Sequence, residues 1–150
     1  EYTDMANLAL KNGLPAEAAR VVELAFSSGI FGKGSDVANQ QKLRQQVQQK
    51  LNEDEKALPA LEKSAKDANA IASLAEVYAS KKQWELASAT FTKAIEMGGL
   101  RREAETRLHA GIVLNKLGKK ADAEKMWDSV QGDPTAVEVA QLWKIWQKAS

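Results

Sequence analysis

Small and apolar residues recur at helical spacing between positions 68 and 99, in two runs separated by the polar residues 80–83. Such spacing predicts two helices, because residues three and four positions apart lie on the same side of a helix. Only a few residues connect the runs, so we expect the two helices to pack antiparallel. Ala75 and Ala87 are expected at their contact, where small side chains allow the helix axes to approach closely.

The same spacing occurs in two further parts of the chain. A shift of 36 positions toward the C-terminus relates Ala75 to Gly111 and Phe91 to Trp127. A shift of 69 positions toward the N-terminus gives a matching pattern over residues 2–25. Three copies in phase indicate a repeat protein, in which each unit packs on its neighbours.

The central copy resembles the tetratricopeptide (TPR) repeat, a helical hairpin of about 34 residues. The residues that match the family pattern are Ile71, Leu74, Ala75, Tyr78, Ala87, Phe91 and Ala94. The resemblance implies an all-α protein, folded as a right-handed TPR-type superhelix of antiparallel helix pairs with a C-terminal capping helix. The chain is interpreted as a TPR-containing domain of bacterial type.

On this interpretation, residues 1–150 form a single TPR-like domain of about nine helices. The predicted parts are repeats at about 1–31, 68–101 and 104–133, a diverged pair at 34–66, and a capping helix at 134–149. A glycine-rich loop at 29–35 carries Ile30 and Phe31, which either tuck under neighbouring helices or form an exposed contact point.

The segment 36–66 lacks the repeat pattern and is predicted to hold two helices. The first carries an apolar residue at every fourth position from Leu43 to Leu51, with glutamines on its other faces. The second is predicted to begin at Asn52. Two interpretations stay open, a diverged hairpin or an oligomerisation helix at 36–51, because the apolar row resembles a short coiled-coil seam.

The C-terminal helix is predicted to begin at Asp133 and Pro134, an N-cap followed by a first-turn proline. Its apolar residues, which include Trp143 and Trp146, cover more than half of its circumference. A single buried stripe is narrower than this, so part of the helix is expected to face another element or a partner. Together with helix 36–51, it supports an alternative function, structural self-assembly into a homo-oligomer.

Composition narrows the classes of partner. Twenty-one basic and twenty acidic residues leave a formal charge of +1, which predicts no binding to nucleic acid. The chain has no cysteine, which excludes disulfides and thiolate metal ligands. No apolar run reaches about 20 residues, so no membrane span is predicted.

The compartment is left open by the sequence, because the lack of cysteine fits both reducing and oxidising surroundings. The turn at residues 98–102 resembles turns in periplasmic or secreted TPR proteins of Gram-negative bacteria. A periplasmic or secreted location and a cytoplasmic one both stay open. The chain begins at Glu1, inside a predicted repeat helix, so we expect it to be a processed or excised piece of a longer protein.

Reactive groups are sparse along the chain. His109 is the one histidine and lies inside a predicted helix. It has no second histidine for a HExxH zinc site and no serine in a strand–turn–helix elbow for a triad. No glycine-rich phosphate loop is present. We therefore predict a non-catalytic protein with no metal and no cofactor.

The TPR resemblance implies binding on a concave face lined by the first helix of each pair. The residues carried over onto this face are Asn7, Leu10, Lys11, Glu76, Ser80, Glu105, Leu108, Ile112, Asn115 and Lys116. The implied ligand is a protein or peptide whose identity the sequence does not specify.

The chain departs from the family members that grip a terminal carboxylate with lysines, an arginine and asparagines. Asn7 matches one such position, but Thr3 and His109 occupy others, which disfavours a chaperone-tail adaptor. Leu108 and Ile112 instead favour an apolar ligand segment. The other interpretation is that the C-terminal helix covers these two residues.

Overall fold

A computed structural model describes residues 1–150, which form eight α-helices and no strand. The helices are α1 (Tyr2–Lys11), α2 (Pro15–Ser27), α3 (Val37–Ser64), α4 (Ala68–Ser80), α5 (Trp84–Met97), α6 (Glu103–Lys116), α7 (Lys120–Asp128) and α8 (Pro134–Ala149). The predicted all-α class is confirmed. The expected number of about nine helices was wrong by one, and the difference lies in α3.

The pairs α1–α2, α4–α5 and α6–α7 are each closed by the same tight turn. Gly13, Lys82 and Gly118 follow the helix C-caps with φ of 70°, 58° and 74°. The N–H of the next residue donates to a carbonyl five positions back, at 2.9 Å in all three turns. This is the Schellman motif, in which the left-handed residue lets the chain reverse while the last helix carbonyls stay bonded. The turns recur at the spacing of the sequence pattern.

Packing inside the three pairs follows the same positions. The largest fully buried side chains are Val22, Phe91 and Trp127, one from the second helix of each pair. The matching position of the first helix in the last pair is Gly111, where a Cβ would lie 2.3 Å from Nε1 of Trp127. Real Cβ atoms do not approach neighbours so closely, so this contact requires glycine.

Helix α3 runs without a break from Val37 to Ser64, so the predicted helix start at Asn52 was wrong. Side chains bridge the expected boundary: Gln48 donates to Asn52 at 3.2 Å, and Gln49 and Lys50 donate to Glu53 at 3.0 and 2.8 Å. Residues that favour an N-cap also form such pairs within a helix. The helix even contains a proline, Pro59.

The chain divides into two compact units, Glu1–Lys63 and Ser64–Ser150, which are described separately. The single TPR-like domain with repeats at the stated boundaries stays a prediction. In the first unit, α1, α2 and the first half of α3 bury one core, whose members are Ala6, Ala9, Ala18, Val22, Ala25, Phe31, Leu43 and Val47. Phe31 thus tucks under the helices, whereas Ile30 is half exposed.

The glycine-rich loop is fixed to α3 within this first unit. The backbone N–H of Gly32 donates to Oε1 of the buried Gln40 at 2.8 Å. Arg44 forms two hydrogen bonds to the carboxylate of Glu23, at 2.5 and 2.6 Å, and lies over the ring of Phe26. The first half of α3 is therefore held by its own unit.

The second unit contains α4 to α8. Asp67 caps α4 by accepting from the N–H of Ala70 at 2.9 Å, and Asp133 caps α8 by accepting from the N–H of Thr135 at 2.9 Å. Helix α8 packs on α6 and α7, where Ala136 and Ala140 are buried with Trp127. The predicted cap at Asp133 and the predicted course of the C-terminal helix are confirmed.

Candidate functional site

Two rows of side chains form the candidate site of the second unit, which we name the α4/α6 face. Its members are Glu76 and Ser80 on α4, and Glu105, His109, Ile112 and Lys116 on α6. The spacing of three and four positions within each helix places each row on one side of its helix. Every member is half-buried or exposed, so the face is accessible to a ligand.

A hydrogen bond between Glu76 and His109 joins the two rows. Oε1 of Glu76 lies 2.5 Å from Nδ1 of His109, whose side chain is 34% exposed. Beside it, Glu105 forms an ion pair with Arg102 at 2.5 Å. Acidic and basic side chains thus alternate along this face. The two pairs, Glu76 with His109 and Glu105 with Arg102, keep the net charge of the face close to zero.

The environment of His109 sets the direction of its pKa. Burial lowers the pKa, but the hydrogen bond that His109 donates to Glu76 and the charges of Glu76 and Glu105 outweigh burial and the nearby Arg102. The net result is a pKa raised above 6.5. A carboxylate partner favours the charged imidazolium, so the bond strengthens as His109 gains a proton.

Helix α8 takes up part of the surface that the TPR resemblance assigned to a ligand. Leu108 is 6% exposed and lies in the core with Ala136 and Ala140 of α8, and Ile112 packs partly against the same cluster. Asn115 Nδ2 donates to Oε1 of Gln147 at 2.7 Å. The structure thus favours the interpretation in which the C-terminal helix covers Leu108.

The sequence-predicted residues of the first unit lie on α1. Asn7 and Lys11 are exposed, and Leu10 is partly buried against the core of that unit. Asn7 and Lys11 lie four positions apart, on one side of α1. They form a small polar surface, described here for its own unit only.

Sequence reasoning placed His109 at a position where other family members grip a carboxylate, but did not count it among the binding residues or pair it with Glu76. A signal was present, since Glu76 and His109 are 33 positions apart, three fewer than the repeat offset. This offset places His109 one helical turn before the position equivalent to Glu76. A turn-by-turn comparison of the first helices would therefore have brought the two residues together.

No group of three or more His, Asp or Glu side chains is placed to hold a metal ion. None of the helices combines the length and the hydrophobicity needed to cross a bilayer.

Searches against protein-family models, curated proteins and solved structures find no match to this chain.

Proposed function

We propose that the chain is a non-catalytic binding module of the tetratricopeptide type, which recognises a protein or peptide through the first helices of its pairs. In this proposal the helix pairs belong to a right-handed superhelix and α8 is its capping helix. No cofactor takes part. The partner binds by shape, hydrogen bonds and charge, as is usual for solenoid surfaces.

The observation that carries the proposal is the threefold recurrence of one helical hairpin. The same left-handed turn follows α1, α4 and α6. The three largest fully buried side chains occupy one position of the pattern. Repeated hairpins bury their apolar faces against neighbours and leave extended surfaces of side chains free for a partner.

In the second unit, the α4/α6 face provides the proposed contacts. Ser80 and Lys116 lie at the C-terminal ends of their rows, Glu105 pairs with Arg102, and His109 bonds Glu76. A peptide backbone has donors and acceptors that such side chains satisfy. Leu108 and Asn115 then act indirectly, because they hold α8 in place beside the face.

Peptide selection from a random display library, with the whole chain immobilised, tests this proposal. The selected peptide is then measured by fluorescence anisotropy against Ser80→Arg, Glu105→Arg and Lys116→Glu. We expect each variant to weaken binding about tenfold, because steric or charge mismatch at a contact costs 1–2 kcal/mol as an order of magnitude.

The matched control is Lys93→Glu with Glu96→Lys, which exchanges two exposed charges on α5. Binding by this control should stay within about twofold of the parent, as is typical of substitutions outside an interface. A library that yields no enriched peptide would contradict the proposal. Equal loss in the control and in the α4/α6 variants would do the same.

Self-assembly is the second candidate, and the exposed side of α8 favours it. Leu142, Ile145 and Trp146 are 59%, 65% and 53% exposed. The part of this candidate that used helix 36–51 has less support, because Leu43 and Val47 are buried in the core of the first unit. Light scattering over a hundredfold range of concentration tests it, and a constant monomer mass would contradict it.

A further inference from the structure

The opposite side of α6 forms a second concavity, which we name the α5–α7 groove. It has a volume of about 500 Å3 and is lined by side chains of α5, α6 and α7. Arg107 and Leu114 line it from α6. At 100° per residue these positions point about 180–200° away from Glu105 on the α4/α6 face. The two surfaces are therefore separate.

Cations predominate along this groove. Arg107, Lys119 and Lys125 line it together with a single carboxylate, Asp122. Arg107 already pairs with Glu103 at 2.8 Å and donates to Ser129 Oγ at 3.2 Å. Lys119 and Lys125 are exposed, and no acidic group of the chain lies within ion-pair distance of either. Their charges are left for a ligand.

Besides these cations, the groove is lined by two apolar side chains, Leu114 and Met126, and by two serines, Ser88 on α5 and Ser129 at the end of α7. Helix α7 has nine residues and a rise of about 1.5 Å for each. An extended chain advances about 3.3 Å per residue, so about four residues of peptide span the groove.

We propose that the α5–α7 groove binds an extended acidic segment of a partner protein, with an apolar residue placed over Leu114 and Met126. Carboxylates of the segment pair with Lys119 and Lys125, and its backbone bonds the hydroxyl of Ser88, because the hydroxyl of Ser129 already bonds Arg107 and the carbonyl oxygen of Met126. The charge of the groove selects this occupant, because the two ammonium groups repel a basic segment and gain no charge pairing from a neutral one. This site is additional to the α4/α6 face and does not depend on it.

The test titrates a fluorescein-labelled peptide, Asp-Glu-Leu-Glu-Asp, with the whole chain at low ionic strength. Fluorescence anisotropy measures the binding. We expect saturable binding that Lys119→Glu with Lys125→Glu weakens about tenfold or more, and that added salt weakens progressively. A labelled Lys-Lys-Leu-Lys-Lys peptide should bind at least about tenfold more weakly.

The matched control is Lys66→Glu with Lys93→Glu, two exposed lysines that do not line the groove. It changes the net charge by the same amount, so a nonspecific attraction would respond equally to both double variants. Equal loss in the two variants, or equal binding of the basic peptide, would overturn the proposal. Circular dichroism verifies that both variants fold.

Amide chemical shifts of the 15N-labelled chain locate the acidic peptide. Shifts confined to residues around Ser88, Leu114 and Ser129 support the proposed groove. Shifts around Glu76 and His109 would overturn it and would assign the peptide to the α4/α6 face. Failure at the groove therefore leaves the proposed function of that face untouched.

Discussion

Gly111 and Trp127 illustrate how a single residue sets the packing of a helix pair. The indole ring occupies the space where a Cβ of residue 111 would lie. Nε1 of Trp127 donates to the carbonyl oxygen of Leu108 at 3.1 Å in a buried environment. The glycine thus allows the indole to reach the α6 backbone and satisfy its one donor.

Substitution of Gly111 by alanine should destabilise the second unit. Alanine favours a helix by about 1 kcal/mol over glycine, but the clash with Trp127 costs roughly 1–3 kcal/mol or more. We expect a net loss of up to about 2 kcal/mol in the free energy of unfolding, measured by urea unfolding. The double variant Gly111→Ala with Trp127→Phe should lose less unfolding free energy than the two single variants together. Strictly additive losses would contradict a direct contact between the two residues.

The bond between Glu76 and His109 predicts a pH dependence of stability. The pKa of folded His109 is raised above 6.5, so the stabilisation is fully present below about pH 6.5 and is lost as pH rises through the folded pKa. Urea unfolding of the parent between about pH 5.5 and 8.5 should show this decline. His109→Gln should flatten it, and an unchanged slope in that variant would contradict the assignment.

At the scale of elements, local pattern predicted the helix pairs because their determinants lie close together in the chain. Alanines at the crossings and glycines after α1 and α6 specify both the helices and the turns. Lys82 adopts the same left-handed turn without being glycine, so the pattern of apolar residues, rather than the turn residue, located that hairpin.

The candidate site was less predictable, because it depends on contacts between different pairs. The hydrogen bond between His109 and Glu76 and the contact of α8 with Leu108 join positions about 30 residues apart. Helical periodicity describes one helix at a time and carries no information on such contacts. The error at Asn52 has a local cause, since the residue types that cap a helix also form side-chain hydrogen bonds in the middle of one.

Pro59 should limit the stability of the second half of α3. Proline has no backbone N–H, so the helix lacks one i to i−4 hydrogen bond at this residue, and residues 52–57, which precede it, are all exposed. Pro59→Ala should restore that bond and strengthen the helix locally by about 3 kcal/mol at most. Amide hydrogen exchange over residues 52–64 measures the change, and exchange that stays equally fast would contradict it.

At the scale of the whole molecule, the substantial helix–helix contacts join elements one or two places apart in the chain. Such local topology folds quickly, because little loop entropy is lost before contacts form. We expect the main phase of refolding from urea to be complete within about 10 ms. Stopped-flow tryptophan fluorescence measures it, and a main phase lasting seconds would contradict this topology.

The fit between Gly111 and Trp127 has a consequence for how this chain can change over evolution. In the second pair the equivalent positions hold Ala75 and Phe91, both buried, and alanine with phenylalanine has nearly the same summed volume as glycine with tryptophan. A related chain with alanine at position 111 should therefore carry a smaller ring at position 127. The two positions should co-vary, and segments exchanged between the hairpins should be tolerated only when both residues move together.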